Sequence, residues 1–288
     1  MSNLFSILLL LFIIITGLAW CIETIKNLCF KYNFGYKKCI TYRKKSCFIS
    51  SFFPILLLLF LCRSFFFEPF RIPSSSMIPS LLIGDFIMVK KFAYNIKNPI
   101  NNNIIYKIND AKRGDIVVFQ YPRDKKINYI KRIIGIPGDL IIYNQFTKTL
   151  LIKNNYDKSC KKKKCIEYKK FSKIDKKNID ILNLKNIKIL EEIINNKSYK
   201  IILNNHLKDN QKYYYKQKNF DYGMWYIPKG YYFVMGDNRD NSYDSRYWGL
   251  VPENDLIGKA IFVWFSVEKK INAWPIRIRF NRIGHIIQ

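Results

Sequence analysis

Histidine is almost missing from this chain, with 2 in 288 residues. A zinc site needs paired Cys or His ligands at short spacing. The chain offers one close Cys pair, Cys160 and Cys165, and no second pair to complete it. No metal site and no cofactor is therefore expected. The usual base for a serine nucleophile is scarce for the same reason. His206 lies in NNHLKD and His285 in RIGHIIQ, and neither stretch carries a triad signature. Glycine (12) and proline (10) are few, and 21 acids face 49 Lys and Arg, which leaves a formal charge of +28. Such a charge ordinarily points to nucleic acid or an anionic membrane. Here it accompanies an excess of Lys, Ile, Asn, Tyr and Phe along the whole chain, concentrated in no face or tail. Nucleic acid is not expected as a partner. No internal repeat and no DNA-binding helix pair is visible.

Charge is missing altogether from two stretches. Residues 4–22, LFSILLLLFIIITGLAWCI, are long enough to cross a bilayer as a helix. The preceding Met1-Ser2-Asn3 lacks the positive charge of a cleavable signal, so an uncleaved anchor is expected. Residues 46–62, SCFISSFFPILLLLFLC, form a second run, followed by Arg63 and Phe65-Phe66-Phe67. A second span over about 46–67 is expected, with Arg63 snorkelling to the interface. A buried core helix is the competing reading of either run. Lys26, Lys31, Lys37, Lys38, Arg43, Lys44 and Lys45 lie between the runs, opposed by Glu23 alone. Short basic loops stay in the cytoplasm, which places the rest of the chain outside. On that side a disulfide between Cys160 and Cys165 is open, though the sequence does not prove it.

Beyond the spans the pattern is mostly β. LLIGDFIMVKKFAY, KRGDIVVFQYP and INYIKRIIGIPGD read as short strands broken by Gly-Asp turns. MWYIPKGYYFVMGD and LIGKAIFVWFSV resume the pattern later. The Lys/Asn-rich stretch between lacks a clear period and reads as an inserted, partly β subdomain with long loops. The expected division is an anchor over 1–68, a catalytic β domain from 69–142 and 223–288, and an inserted subdomain over 143–222.

Ser74, Ser75 and Ser76 sit just after the second run. A serine hydroxyl is a weak nucleophile without a neighbouring base. With histidine scarce, lysine is the remaining base. An ordinary lysine near ~10.4 is neutral in only about one molecule in 2,500 at pH 7, a cost of about 4.6 kcal/mol. Apolar burial lowers that cost. Lys131, in NYIKRIIGIPG, has the most apolar setting of the many lysines, and alternation puts Tyr129, Lys131 and Ile133 on one face. A strand lysine reaching water beside Arg132 is the bland alternative. GDNRDNSYDSRYWG, 236–249, reads either as a solvated polar turn or as a loop bringing Ser242 near Lys131, fixed by an Asp244–Arg246 pair.

Four blocks in this order behind two spans resemble bacterial type I signal peptidases: RSFFFEPFRIPSSSMIPSLLIGDFIMVKKFAY, KRGDIVVFQYP, YIKRIIGIPGD and GDNRDNSYDSRYWGLVPE. The resemblance implies a signal-peptidase-like β fold on two N-terminal transmembrane helices. It implies a serine endopeptidase that cuts signal peptides from exported preproteins after an Ala-X-Ala-like site. Ser76 matches the nucleophile and Lys131 the general base. Ser74 matches the serine that helps the Ser76 N–H hold the oxyanion, Ser242 the serine that orients the lysine, and Asp244 and Arg246 the supporting pair. Ser75 stands where relatives often have Gly. Phe70, Ile72, Met77, Leu81, Ile87, Val118, Tyr129 and Ile130 align with the substrate pocket. The implied partners are preprotein signal peptides and the lipid bilayer, touched by Phe65–Phe67, Trp264 and Trp274. The implied location is the bacterial inner membrane, multi-pass, with the catalytic domain on the periplasmic side. A non-catalytic, membrane-tethered basic binding module is the competing reading.

Overall fold

The computed structural model describes residues 2–34, 49–98, 103–153, 164–165, 167–170, 187–194, 197–204, 207, 211–268 and 277–287. The chain divides into two compact units. One comprises Met1–Glu68 with Ile96–Tyr106, the other Pro69–Asn95 with Lys107–Gln288.

In the first unit, α1 (Ser2–Phe34) is a 33-residue helix, longer than the expected run because the polar Glu23–Asn27 stretch continues it. Its segment Leu8–Leu28 is long and apolar enough to cross a membrane by length and composition. Phe12, Ile15 and Leu18 are 58–61% exposed, which suits a helix whose surroundings are lipid. The second expected span comes out shorter. A 3-10 turn at Ser50–Phe52, α2 (Phe53–Leu61) and a π turn at Cys62–Phe66 make one apolar stretch of 17 residues. That is below the ~20 residues a hydrocarbon core requires, and the chain turns to strand at Phe67. One helix, not two, therefore meets the criterion among the described residues. The two helices pack tightly. A Cβ on Gly17 would come within 2.9 Å of the Phe53 ring, and Trp20 lies 5.4 Å from Phe53, centroid to centroid.

The second unit is built on an eight-stranded sheet. Its strands are β1 (Phe67–Arg71), β2 (Asp85–Lys90), β5 (Ile116–Tyr121), β6 (Asp124–Gly135), β14 (Tyr231–Met235), β15 (Val251–Pro252), β16 (Leu256–Glu268) and β17 (Arg277–Ile278). The order is β1-β2-β16-β5-β6-β14-β15, with β17 beside β16. A separate hairpin, which belongs mostly to the first unit, joins β3 (Asn95–Lys97) and β4 (Ile104–Lys107). Because β6 is central, Ile130–Gly135 is buried on both faces, and its apolar Ile133-Ile134-Gly135 end is what a doubly covered strand requires.

The Lys/Asn-rich stretch is partly β, and strands at its borders join it. β7 (Leu140–Asn144), β8 (Thr149–Lys153), β9 (Lys164–Cys165) and β13 (Met224–Tyr226) form one sheet. β10 (Glu167–Lys170), β11 (Ile187–Ile194) and β12 (Lys197–Asn204) form another. Tyr199, Ile201 and Leu203 join Ile134, Trp225 and Phe233 in one buried cluster, so β12 shares a core with β6 and β14. Cys160, His206 and Trp274 lie outside the described residues, and with them the Cys160–Cys165 pairing.

Candidate active site

Between β1 and β2 the chain makes a compact turn. The Ile72 N–H donates to Asp85 O (2.8 Å) and Gly84 N–H returns to Ile72 O (2.9 Å), closing its base. Met77, Ile78 and Leu81 are at most 3% exposed and seat the turn in the core. Ser76 is presented between them, and its Oγ lies 3.3 Å from Ser74 Oγ. Among the described residues the Ser76 N–H donates to no protein group.

The hydroxyl faces β6. Lys131 pairs across the sheet with Val117, is 5% exposed, and donates from Nζ to Ser76 Oγ at 2.7 Å. That is its one hydrogen bond among the described residues, and no carboxylate there lies within ion-pair reach. The lysine does not reach water, as the bland reading required. Burial of the ammonium pushes its pKa down to about 8, against the opposing pull of Asp244 and Asp237.

The third element is the loop after β14. Register places Met235 opposite Arg132, so the chain leaves the sheet beside Lys131. Gly236 is needed for close approach. A Cβ there would lie 2.3 Å from Ser242 Oγ and 2.5 Å from Ser76 O. The next residues clasp the serine turn. Asn238 N–H donates to Ser76 O (3.0 Å), Asn238 Nδ2 to Ser75 O (3.2 Å), and Asn241 Nδ2 to Ser75 Oγ (2.9 Å).

Buried ion pairs hold the loop. Arg246 forks Asp244, Nε to Oδ1 at 2.9 Å and Nη2 to Oδ2 at 3.0 Å, and Asp244 also accepts from Gly236 N–H. Burial pushes the Asp244 pKa up, but the Arg246 guanidinium and the Gly236 N–H outweigh it and hold the carboxyl below its usual range. The sequence reading did not assign a second clamp. Arg132 forks Asp237 with both contacts at 2.8 Å, and it also donates to Gly114 O and Ser80 Oγ. Its signal was present, since an Arg in a strand buried on both faces demands an acid, and GDNRD offers one. Ser242 is buried near this junction with its Oγ unpartnered among the described residues.

Six of the eight pocket residues expected from the resemblance, Ile72, Met77, Leu81, Ile87, Val118 and Ile130, share one buried cluster, with Phe70 packed against it. Tyr129 belongs elsewhere. It stacks on Tyr121 at 4.8 Å, and its ring centroid lies 5.6 Å from Lys131 Nζ. His285 is remote in kind, its pKa lowered by burial and by Arg282.

A hydroxyl bonded to a buried amine, with a free backbone N–H beside it, can perform acyl transfer. Residues 46–265 match the family model described as signal peptidase, peptidase S26. Signal peptidase I of Buchnera aphidicola subsp. Acyrthosiphon pisum is 46% identical over 313 residues, covering 99% of this chain and 100% of that protein. Signal peptidase I of Buchnera aphidicola subsp. Baizongia pistaciae is 47% identical over 309 residues, with the same coverage. Signal peptidase I of Haemophilus influenzae is 33% identical over 327 residues, covering 98% of this chain and 91% of that one. The chain belongs to the signal peptidase family, peptidase S26.

Proposed function

We propose that this chain is a membrane-bound serine endopeptidase that removes N-terminal signal peptides from exported preproteins, cutting after an Ala-X-Ala-like site. Ser76 is the nucleophile and Lys131 its general base. The observation that carries this reading is the 2.7 Å contact from a buried, carboxylate-free Lys131 Nζ to Ser76 Oγ. A lysine near 8 is neutral in about one molecule in eleven at pH 7, so readying the base costs about 1.4 kcal/mol, not about 4.6.

Neutral Lys131 takes the Ser76 proton as Oγ attacks the scissile carbonyl. The tetrahedral oxyanion is held by the Ser76 N–H and the Ser74 hydroxyl, worth roughly 3–4 kcal/mol per donor. Lys131 then protonates the leaving amine, and afterwards activates the water that releases the acyl chain. Asp244 and Arg246 fix the loop that carries Ser242, whose open hydroxyl orients the lysine once substrate arrives. Phe70, Ile72, Met77, Leu81, Ile87, Val118 and Ile130 supply apolar walls suited to small side chains, and Tyr129 flanks the base.

The domain boundaries follow. The dyad and its loop come from 69–142 and 223–288, 143–222 is an insertion, and 1–68 is the anchor. The anchor is taken to cross the inner membrane twice, by α1 and by the apolar stretch Ser50–Phe66, and the catalytic unit lies on the periplasmic side. Phe67 and Trp264 are 41% and 40% exposed, which supports contact with lipid.

The test is site-resolved cleavage of a preprotein by the full-length protein in detergent. Wild type should cut one bond, and Ser76→Ala and Lys131→Ala should not. A basic binding module would give no turnover at all.

A further inference from the structure

The insertion carries one acid where the fold calls for an apolar residue. Leu190, Glu192, Tyr199, Ile201 and Leu203 lie in register on one face of β11–β12, and all but Glu192 join or pack against the same apolar cluster. Glu192 is fully buried. Its carboxylate accepts from both terminal nitrogens of Arg239, Nη1 to Oε1 at 2.9 Å and Nη2 to Oε2, and from the Tyr199 hydroxyl. Burying such a pair is costly, and apolar residues of equal volume often serve stability as well or better. Its presence in a face that already packs calls for another reason.

Arg239 lies in the loop that clasps Ser76. Its carbonyl accepts from Arg246 Nη2, the side chain that forks Asp244. The Tyr199 ring lies 3.9 Å from the Arg132 guanidinium, which forks Asp237. Asp244 and Asp237 are the two acids that act on Lys131. β12 also docks the loop by backbone, with Ile202 N–H donating to Asp237 O at 2.9 Å and Asn204 N–H to Asp240 Oδ2 at 2.6 Å. On the opposite face, Ile189 and Ile202 pack against Ile78 and Leu82, which flank the serine turn.

We propose that Glu192 is a positioning residue for the peptidase reaction. The inserted hairpin is a jig for the catalytic loop, and the Glu192–Arg239 pair sets where Asp237, Asn238 and Asp244 stand relative to Ser76 and Lys131. This rests on the reading of Ser76 and Lys131 as the dyad. A displacement of about 1 Å at such a site costs roughly 100-fold in rate, so partial loosening predicts a loss of tens-fold in kcat with substrate affinity kept.

The experiment uses the full-length protein in detergent with a synthetic preprotein, comparing wild type, Ser76→Ala, Glu192→Gln, Glu192→Asp, Tyr199→Phe and Glu192→Gln/Arg239→Gln. Glu192→Gln should lower kcat about 30-fold per folded molecule, with KM within about twofold. Glu192→Asp, which keeps the charge, should recover much of the loss. The double variant should be little worse than Glu192→Gln alone, because both changes break one contact. Tyr199→Phe should cost a few-fold in kcat, and with Glu192→Asp it decides the matter if Glu192→Gln does not fold. Wild-type kcat in these variants, or losses that only track the folded fraction by near-UV circular dichroism, overturns the proposal. If wild type cleaves, Ser76→Ala does not, and Glu192→Gln matches wild type, this inference alone fails. If wild type does not cleave, the peptidase reading fails first, and the inference goes with it.

Discussion

Two lysines, one in β6 and one in the insertion, are buried to almost the same depth, and they are built for opposite ends. Lys131, 5% exposed in the centre of β6, faces a hydroxyl and no carboxylate. Lys148, 8% exposed in the turn between β7 and β8, donates to Asn204 O (2.7 Å), Leu207 O (2.9 Å) and Asp240 Oδ1 (2.6 Å). All three of its N–H donors are used. Burial alone therefore does not make a base. The partner decides whether the charged amine is satisfied, as in Lys148, or merely tolerated, as in Lys131.

Replacing each lysine by methionine sharpens the contrast most. Lys131→Met should lower preprotein turnover at least about 10³-fold and raise unfolding stability near pH 7 by up to ~3 kcal/mol, since the depressed pKa is a penalty in the folded state. Lys148→Met should do the reverse, costing about 3 kcal/mol by leaving the buried Asp240 without its cation while the dyad of each folded molecule survives. Chemical denaturation read beside turnover checks both, and stabilities moving in the same direction would break the comparison.

The pH dependence follows next. Lys131 is useful when neutral, so kcat/KM should climb through about pH 8 and level above it. Stability carries the same group with its own sign. The folded pKa near 8 lies below the unfolded value near ~10.5, so the penalty is full below pH 8 and fades as pH rises from 8 towards 10.5. A rate that stays flat from pH 6 to 9, with chemistry rate-limiting, would remove lysine as the base.

Smaller effects belong to the serines around the pair. Ser242→Ala should cut kcat about tenfold while raising stability by about 1 kcal/mol, because an unpartnered buried hydroxyl carries a desolvation cost. An unchanged kcat would mean that Ser242 does not orient the base. Ser75→Gly removes the acceptor for Asn241 Nδ2 and frees the backbone of the turn, and a loss of about threefold in kcat is expected. A gain would show that the contact restrains the turn unhelpfully.

What the sequence made legible was local. The flanking isoleucines announced a buried strand around Lys131, and turn residues announced the 236–249 loop. The distant partnerships were not legible. Arg132 and Asp237 are 105 residues apart, and Arg239 and Glu192 are 47 apart. No periodicity encodes such a match: the apolar flanks of Arg132 show that it needs an acid, but not which one. The membrane anchor was legible in part, since its first span meets the length of a bilayer and its second comes out shorter. The apolar run around Pro54 looked long enough by composition, yet helix ends are set by where the backbone turns, and a π turn and strand intervene at Cys62–Arg71. Within the insertion the partly β character was legible, but the abundance of Lys and Asn hid where its strands begin and end.

The clasp around Ser76 has a consequence for timing. Its serine and lysine are synthesised early, but the fastening segments, β11–β12 and Gly236–Arg246, come more than fifty residues after Lys131. A nascent chain holds Ser76 and Lys131 without the frame that aligns them. The frame that holds Lys131 against Ser76 is therefore complete only when the last third of the polypeptide has folded.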